Sequence, residues 1–269
     1  MCEKTSYLLY LFRRLFAKTY KTSGVLGRIF NYRTARKNLL CLLQMIFTDK
    51  AIVLFRQAFR ETDRVLCVYA REHGRLHVRV PGVMRQTGKL KALSEPFVCG
   101  DMRIYTRGGG VMGTLTGGKL DSVFPSIRAD LKRVSLALHC CELVMRLTPL
   151  HQPSEGKFEL LYQALSELDR SGANSAFQAA FTLRLMMLAG FGLDHPVLHI
   201  SPSFWQKMHE DKFSNLLFTE PDDLVALGKC NNVCRRFLNQ YLTYPLHTTE
   251  NFGLKEETAD ALSLHAVLS

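Results

Sequence analysis

The chain has 269 residues, 47% of them hydrophobic, which is enough apolar surface for one large or two modest packed domains and argues against general disorder. No run of about eighteen apolar residues occurs, so no membrane span is expected. The eight cysteines (positions 2, 41, 67, 99, 140, 141, 230 and 234) have no regular spacing, which fits a reducing compartment better than a disulfide framework. The formal charge is +11, but it is unevenly spread. Residues 1–44 hold nine basic side chains against one acid, residues 45–125 thirteen against seven, and residues 126–269 thirteen against sixteen. A polyanionic partner is therefore expected for the middle segment and the N-terminal one, not for the C-terminal half.

Residues 1–44 form a basic extension with short apolar clusters, Tyr7 to Phe12 and Leu39 to Leu43. Arg13 and Arg14 interrupt the first cluster, which argues against a secretory signal. Three readings stay open: translated sequence upstream of a start at Met45, a basic arm, or an organelle-targeting peptide. From Lys50 the pattern turns β-like. Ala51-Ile52-Val53-Leu54-Phe55-Arg56 is a β-branched run, Arg60-Glu61-Thr62-Asp63 a polar turn, and Arg64 to Ala70 a second run. Glu72-His73-Gly74 signals a tight turn. Arg75 to Val80 then alternates strictly, with Leu76, Val78 and Val80 on one face and Arg75, His77 and Arg79 on the other, as a half-buried strand with a positive outer face should.

Pro81-Gly82 ends that strand, and residues 82–94 read as a long, mobile loop carrying Arg85, Lys89 and Lys91. Phe97 to Tyr105, Val111 to Thr116 and Leu120 to Phe124 read as further strands around a Gly108-Gly109-Gly110 turn. Five or six short strands in about seventy-five residues suit a small closed barrel, of which the OB-fold is the commonest nucleic-acid-binding version. Beyond Pro125 the period becomes helical. Ser126 is read as the cap of one long helix striped by Ile127, Leu131, Val134, Leu138, Cys141, Val144 and Met145 and ending before Pro149. Helices are expected over about 155–169 and 173–189, no clear period over 191–220, and a helix pair over about 221–242. The fold class is thus α+β, β then α. An OB-fold nucleic-acid-binding domain at 45–125 precedes a helical domain at 126–248 and a weakly ordered tail at 249–269.

Four stretches, in order, resemble the RecO family of recombination-repair mediators. They are Ala51 to Leu54 with Arg60-Glu61-Thr62-Asp63 and Tyr69 to Gly74; Gly82 to Arg85 through Leu90 to Glu95-Pro96-Phe97; Leu115-Thr116 with Phe124 to Leu131 and Glu142-Leu143; and Phe181-Thr182-Leu183-Arg184-Leu185 with Gly190-Phe191-Gly192. The resemblance covers about 48–245. It implies an OB-fold and a helical domain, binding to single- and double-stranded DNA, and strand annealing. It also implies partnership with RecR and with single-strand-binding protein to load RecA, in a bacterial cytoplasm at the nucleoid. The chain departs from the family at Pro81, where a lysine is usual, and at Thr182, where a glutamate is usual. Many members carry four cysteines in a zinc insertion, but no cysteine occurs between Gly192 and Leu227, so that insertion is degenerate or absent and no metal is expected.

The candidate DNA-binding residues are Arg85, Lys89 and Lys91 of the loop, with Arg56, Arg64, Arg75 and Arg79 of the strands, because clustered cations neutralise phosphates and release counterions. Against each stands an ordinary solvated charge. Phe59 and Tyr105 are candidate stacking platforms, with barrel packing the plainer reading. His77 could meet a base or phosphate, or be merely solvated. Lys157 and Arg184 are candidates for receiving the acidic, hydrophobic tail that the resemblance implies for single-strand-binding protein. Cys230 and Cys234 could join His195, His199 or His209 in a mixed zinc site, but core packing is the plainer reading. No Walker loop, Gly-x-Ser-x-Gly elbow or His-Glu-x-x-His occurs, so no catalysis and no cofactor are expected. Two other readings remain: an OB-fold RNA-binding or translation-associated protein, and a histidine-based metal hydrolase.

Overall fold

The computed structural model describes residues 45–86, 88–107, 112–172, 174–191 and 200–242, together with 246 and 248. The basic extension over 1–44, the tail over 249–269, the Gly108-Gly109-Gly110 turn, His195 and His199 lie outside the described residues. Five strands, β1 (Met45–Phe59), β2 (Asp63–Ala70), β3 (Gly74–Val80), β4 (Cys99–Thr106) and β5 (Met112–Ser122), form a closed barrel in the order β1-β2-β3-β5-β4. The β1-β2, β2-β3 and β4-β5 pairs are antiparallel, and β3-β5 is parallel. Closure runs through Val53, whose amide donates to the Val98 carbonyl and whose carbonyl accepts from the Phe97 amide, both at 2.9 Å.

The run Ala51 to Leu54 is buried on both faces. Ala51 and Val53 point into the barrel with Leu66, Val68, Leu76, Val78 and Ile104. Ile52 and Leu54 point outward, with Cys67, Tyr69, Phe97 and Cys99, into a second core shared with the helices. An unbroken apolar run, rather than an alternating one, is what a strand packed on both sides requires. The alternation in β3 holds as read: Leu76, Val78 and Val80 are buried while Arg75, His77 and Arg79 are only part-covered. Gly74, which opens β3, sits at φ +69°, and a Cβ there would lie 2.3 Å from the Gln152 carbonyl oxygen. Only glycine meets both demands.

Among the described residues six α-helices follow: α1 (Pro125–Ala129), α2 (Leu131–Leu147), α3 (Glu155–Arg170), α4 (Phe177–Leu188), α5 (Pro202–Glu210) and α6 (Pro221–Tyr241). Several expectations need correction. Where two strands were expected over 111–116 and 120–124, one strand, β5, runs from Met112 to Ser122 through Gly117 and Gly118. The long helix after Pro125 is two, because Asp130 is extended (φ −130°, ψ 122°) and its carboxylate caps α2 by accepting from the Lys132 amide at 2.8 Å. Leu131, placed on the apolar stripe by its spacing, is 72% exposed. Ser126 caps nothing; its amide is satisfied from α3, by Asp169 at 2.7 Å. The irregular segment 191–220 contains α5, and the helix pair over 221–242 is the single helix α6. Among the described residues no helix is long and apolar enough to cross a membrane.

Candidate nucleic-acid interface

The loop from Pro81 to Val98 closes one end of the barrel. Its Val83 and Leu93 are buried with the barrel-interior residues, and Leu90 packs against them. These apolar side chains anchor the loop, expected as a mobile segment, to the barrel interior as a plug. Backbone hydrogen bonds brace the turns between the anchors, from Gly88 to the Arg85 carbonyl at 3.1 Å and from Lys91 to the Gly88 carbonyl at 3.3 Å. Gly88 has no room for a side chain, since a Cβ would lie 2.6 Å from the Val83 carbonyl oxygen.

Two carboxylates tie the ends of this loop. Asp63, at the start of β2, accepts from the Gly82 amide at 2.8 Å and from Arg79 Nε at 2.8 Å and Nη2 at 2.6 Å. The Gly82 amide, with Arg79 second, holds the Asp63 carboxyl below its ordinary value. The Met84 amide donates to the Thr62 carbonyl at 2.9 Å. At the far end Glu95 takes Arg56 and Arg64, the latter at 3.0 Å, and Arg64 also donates to Ser94 Oγ at 2.9 Å. Burial alone would push the Glu95 carboxyl up, but the two guanidiniums outweigh it and hold it down.

The strand and loop cations therefore separate. Arg56, Arg64 and Arg79 are paired with acids, and Arg75 donates to the Met145 carbonyl at the end of α2. Arg85, Lys89 and Lys91 are exposed and have no ion pair or side-chain hydrogen bond among the described residues. Arg85 also lines an open cleft of about 660 Å³ with Arg60, Glu61, Thr62, Asp63, Arg79, Pro81 and Gly82. Arg60 is the residue that sequence reasoning passed over. It was legible only as part of a polar turn, yet its guanidinium lies 5.3 Å from the centroid of the exposed Phe59 ring. Tyr105 is half-buried on β4. His77 is half-buried on β3, and burial, with Arg75 and His151 nearby, pushes its pKa down.

In the helical region, Lys157 lies in the first turn of α3, where burial lowers its pKa. Arg184 reaches across from α4 to the Met208 carbonyl at 2.8 Å and the Asp211 carbonyl at 2.5 Å, and its guanidinium lies 4.6 Å from the Phe213 ring centroid. Cys230 and Cys234 face the apolar core of α6, where burial pushes both thiols up to about 12. His209 bonds the Trp205 carbonyl at 2.9 Å. Among the described residues no three His, Cys, Asp or Glu side chains gather where a metal could sit; His195 and His199 of the expected mixed site lie outside them.

Residues 45–124 match the family model for the recombination protein O N terminal region, and residues 128–195 match that for its C terminal region. The DNA repair protein RecO of Listeria monocytogenes serotype 4a is 27% identical over 224 residues, which cover 79% of this chain and 84% of that one. The DNA repair protein RecO of Pelotomaculum thermopropionicum is 32% identical over 146 residues, 54% of this chain and 56% of that one. That of Desulforudis audaxviator is 34% identical over 148 residues, 54% and 57% respectively.

Proposed function

The chain belongs to the RecO family of DNA repair proteins, and we propose that it binds single- and double-stranded DNA at the plugged end of its barrel. In this reading it anneals complementary strands and helps to load a RecA-type recombinase onto DNA coated with single-strand-binding protein, together with RecR, at the bacterial nucleoid. It acts by binding rather than by catalysis. The observation that carries the reading is the segregation of charge. Four candidate cations are spent on internal partners, while Arg85, Lys89 and Lys91, on a braced loop, have no ion pair among the described residues. Arg60 and Phe59 add a cation and an exposed ring at the adjoining cleft, a pairing suited to a phosphate and a base.

Protein docking falls to the helical region. Lys157 brings a part-desolvated cation to the start of α3, and Leu188 packs at Gly156, beside Lys157 in the chain. Met187 and Leu188 are 47% and 43% exposed, so a cation adjoins apolar surface, as an acidic peptide with a hydrophobic end requires. Arg184 belongs to this reading as a support, since its guanidinium is committed to two carbonyls.

The test is an annealing assay with complementary DNA strands coated by single-strand-binding protein. The wild-type chain should anneal them, and a chain carrying Arg85→Ala, Lys89→Ala and Lys91→Ala should not. Equal annealing by both would remove the loop from the reading. Tighter binding to RNA than to DNA, with no DNA annealing, would favour an RNA-binding role instead.

A further inference from the structure

The two carboxylates in the middle of this basic surface are unexpected on electrostatic grounds. An acid beside a phosphate-binding loop repels the ligand, and on charge alone its removal should tighten DNA binding. Both acids instead make contacts that fix the loop. Glu95 joins Arg56 of β1 and Arg64 of β2 to the end of the loop, and the Arg64 side chain is only 11% exposed, too covered to serve a ligand. Asp63 joins the Gly82 amide to Arg79 of β3 at the loop's start. Between these ties Val83 and Leu93 are sunk in the barrel, so the backbone that carries Arg85, Lys89 and Lys91 is held from both sides. Cations on an unbraced loop would have to be ordered when DNA binds, at a cost in affinity; here the ordering is already done by folding.

We propose that Glu95 and Asp63 are positioning residues that pre-set the loop cations Arg85, Lys89 and Lys91 for phosphate contact, Glu95 through its bridge to Arg56 and Arg64 and Asp63 through the Gly82 amide and Arg79. The proposal rests on the reading that this loop meets DNA. It makes a prediction opposite in sign to simple charge. Glu95→Gln removes a negative charge, yet it should weaken DNA binding.

The experiment is a fluorescence anisotropy titration of a labelled oligothymidylate with the full-length chain, repeated across a range of salt concentrations. Glu95→Gln should weaken binding about 5-fold, the cost of re-ordering roughly one long side chain. The salt slope should stay as in the wild type, because the same phosphates are neutralised in the end. Lys89→Ala with Lys91→Ala should lower the slope itself. Equal or tighter binding by Glu95→Gln, with the lysine variant still impaired, would overturn the positioning role and leave the loop reading standing. A lysine variant with unchanged affinity and slope would remove the loop reading, and the positioning role with it. Thermal melting monitors the fold of each variant. Should Glu95→Gln not fold, Asp63→Asn carries the test: its amide oxygen can still accept from Gly82 while the ion pair to Arg79 is lost. Weaker binding by Asp63→Asn supports the proposal, and equal or tighter binding overturns it.

Discussion

The barrel and the helical region differ in what they do with their cations. In the helical region, two guanidiniums act as internal ties. Arg133 donates to the Leu168 and Asp169 carbonyls at 3.0 and 2.8 Å, and Arg184 holds the Met208 and Asp211 carbonyls. Each satisfies the orphan carbonyls of a helix end or a loop that helix packing would otherwise leave bare. In the barrel the same tying is done by Arg56, Arg64, Arg75 and Arg79, but one loop groups three further cations, Arg85, Lys89 and Lys91, that have no ion pair among the described residues. Net charge therefore does not say which cations the fold leaves unpaired. What matters is which cations the fold has left over after its own carboxylates and carbonyls are served.

If the helical region uses its polar groups for stability, perturbing them should cost stability and spare DNA binding. The largest effect is expected from acid. His139 of α2 is 2% exposed, contacts Thr248 Oγ1 at 3.2 Å, and burial pushes its pKa down to about 4, with Glu142 opposing weakly. A histidine whose folded pKa lies below its unfolded value of 6.5 contributes stability that is complete above 6.5 and is lost as pH falls towards 4. The expected loss is on the order of 3 kcal/mol. Urea melts from pH 7 to pH 4, followed by the fluorescence of Trp205, the only tryptophan, would show it. A flat stability over that range would mean that His139 is not held neutral by its burial.

Next in size is Arg184→Met, which keeps most of the apolar stem but strips two carbonyls of their donor. It should cost about 2 kcal/mol. Trp205 fluorescence should also change, because α5, which bears Trp205, is pinned by Arg184 at Met208. DNA affinity of the folded variant should match the wild type. A large loss of DNA affinity would break the division between the two regions. Lys89→Ala should do the converse. One single-strand phosphate contact accounts for about 0.7 of the salt slope, so its loss should weaken binding about 5-fold at 0.1 M salt. Its thermal stability should stay within about 0.5 kcal/mol of the wild type.

Sequence reasoning reached the free cations more easily than the tied ones, for a physical reason. Arg85, Lys89 and Lys91 have no acid between them, and freedom from partners is legible when no partner is near in the chain. The ties of Arg56 and Arg64 run to Glu95, 39 and 31 residues away, and only barrel closure brings them together. Arg184 meets its carbonyls only because α5 folds back over α4, in a segment without clear period. The β3 alternation was legible because a strand with one wet face repeats every two residues. The break at Asp130 was not, because Leu131 and Val134 continue a helical spacing across it and the amides of α1 are capped from Asp169, far along the chain. The anchoring of the loop was not legible because Val83, Leu90 and Leu93 show no regular period, and their packing depends on the barrel having an open end to fill.

The smallest effect, and the one that tests the bracing of the loop most locally, is acid acting on the barrel alone. Asp63 and Glu95 both titrate below their ordinary values of 3.8 and 4.5. For a carboxylate depressed in the folded state, the stabilisation is present above the unfolded pKa and disappears as pH falls through the folded one. The loop should therefore stay braced through the range in which His139 weakens the helical region, and loosen only below about pH 4. The Gly82 amide donates to Asp63 at 2.8 Å, so its proton resonance should move upfield as Asp63 protonates. Asp63→Asn should show no such step. A Gly82 shift already complete between pH 6.5 and 5 would instead tie the loop to the histidine-dependent loosening of the helices, and the two regions would then respond to acid as one unit.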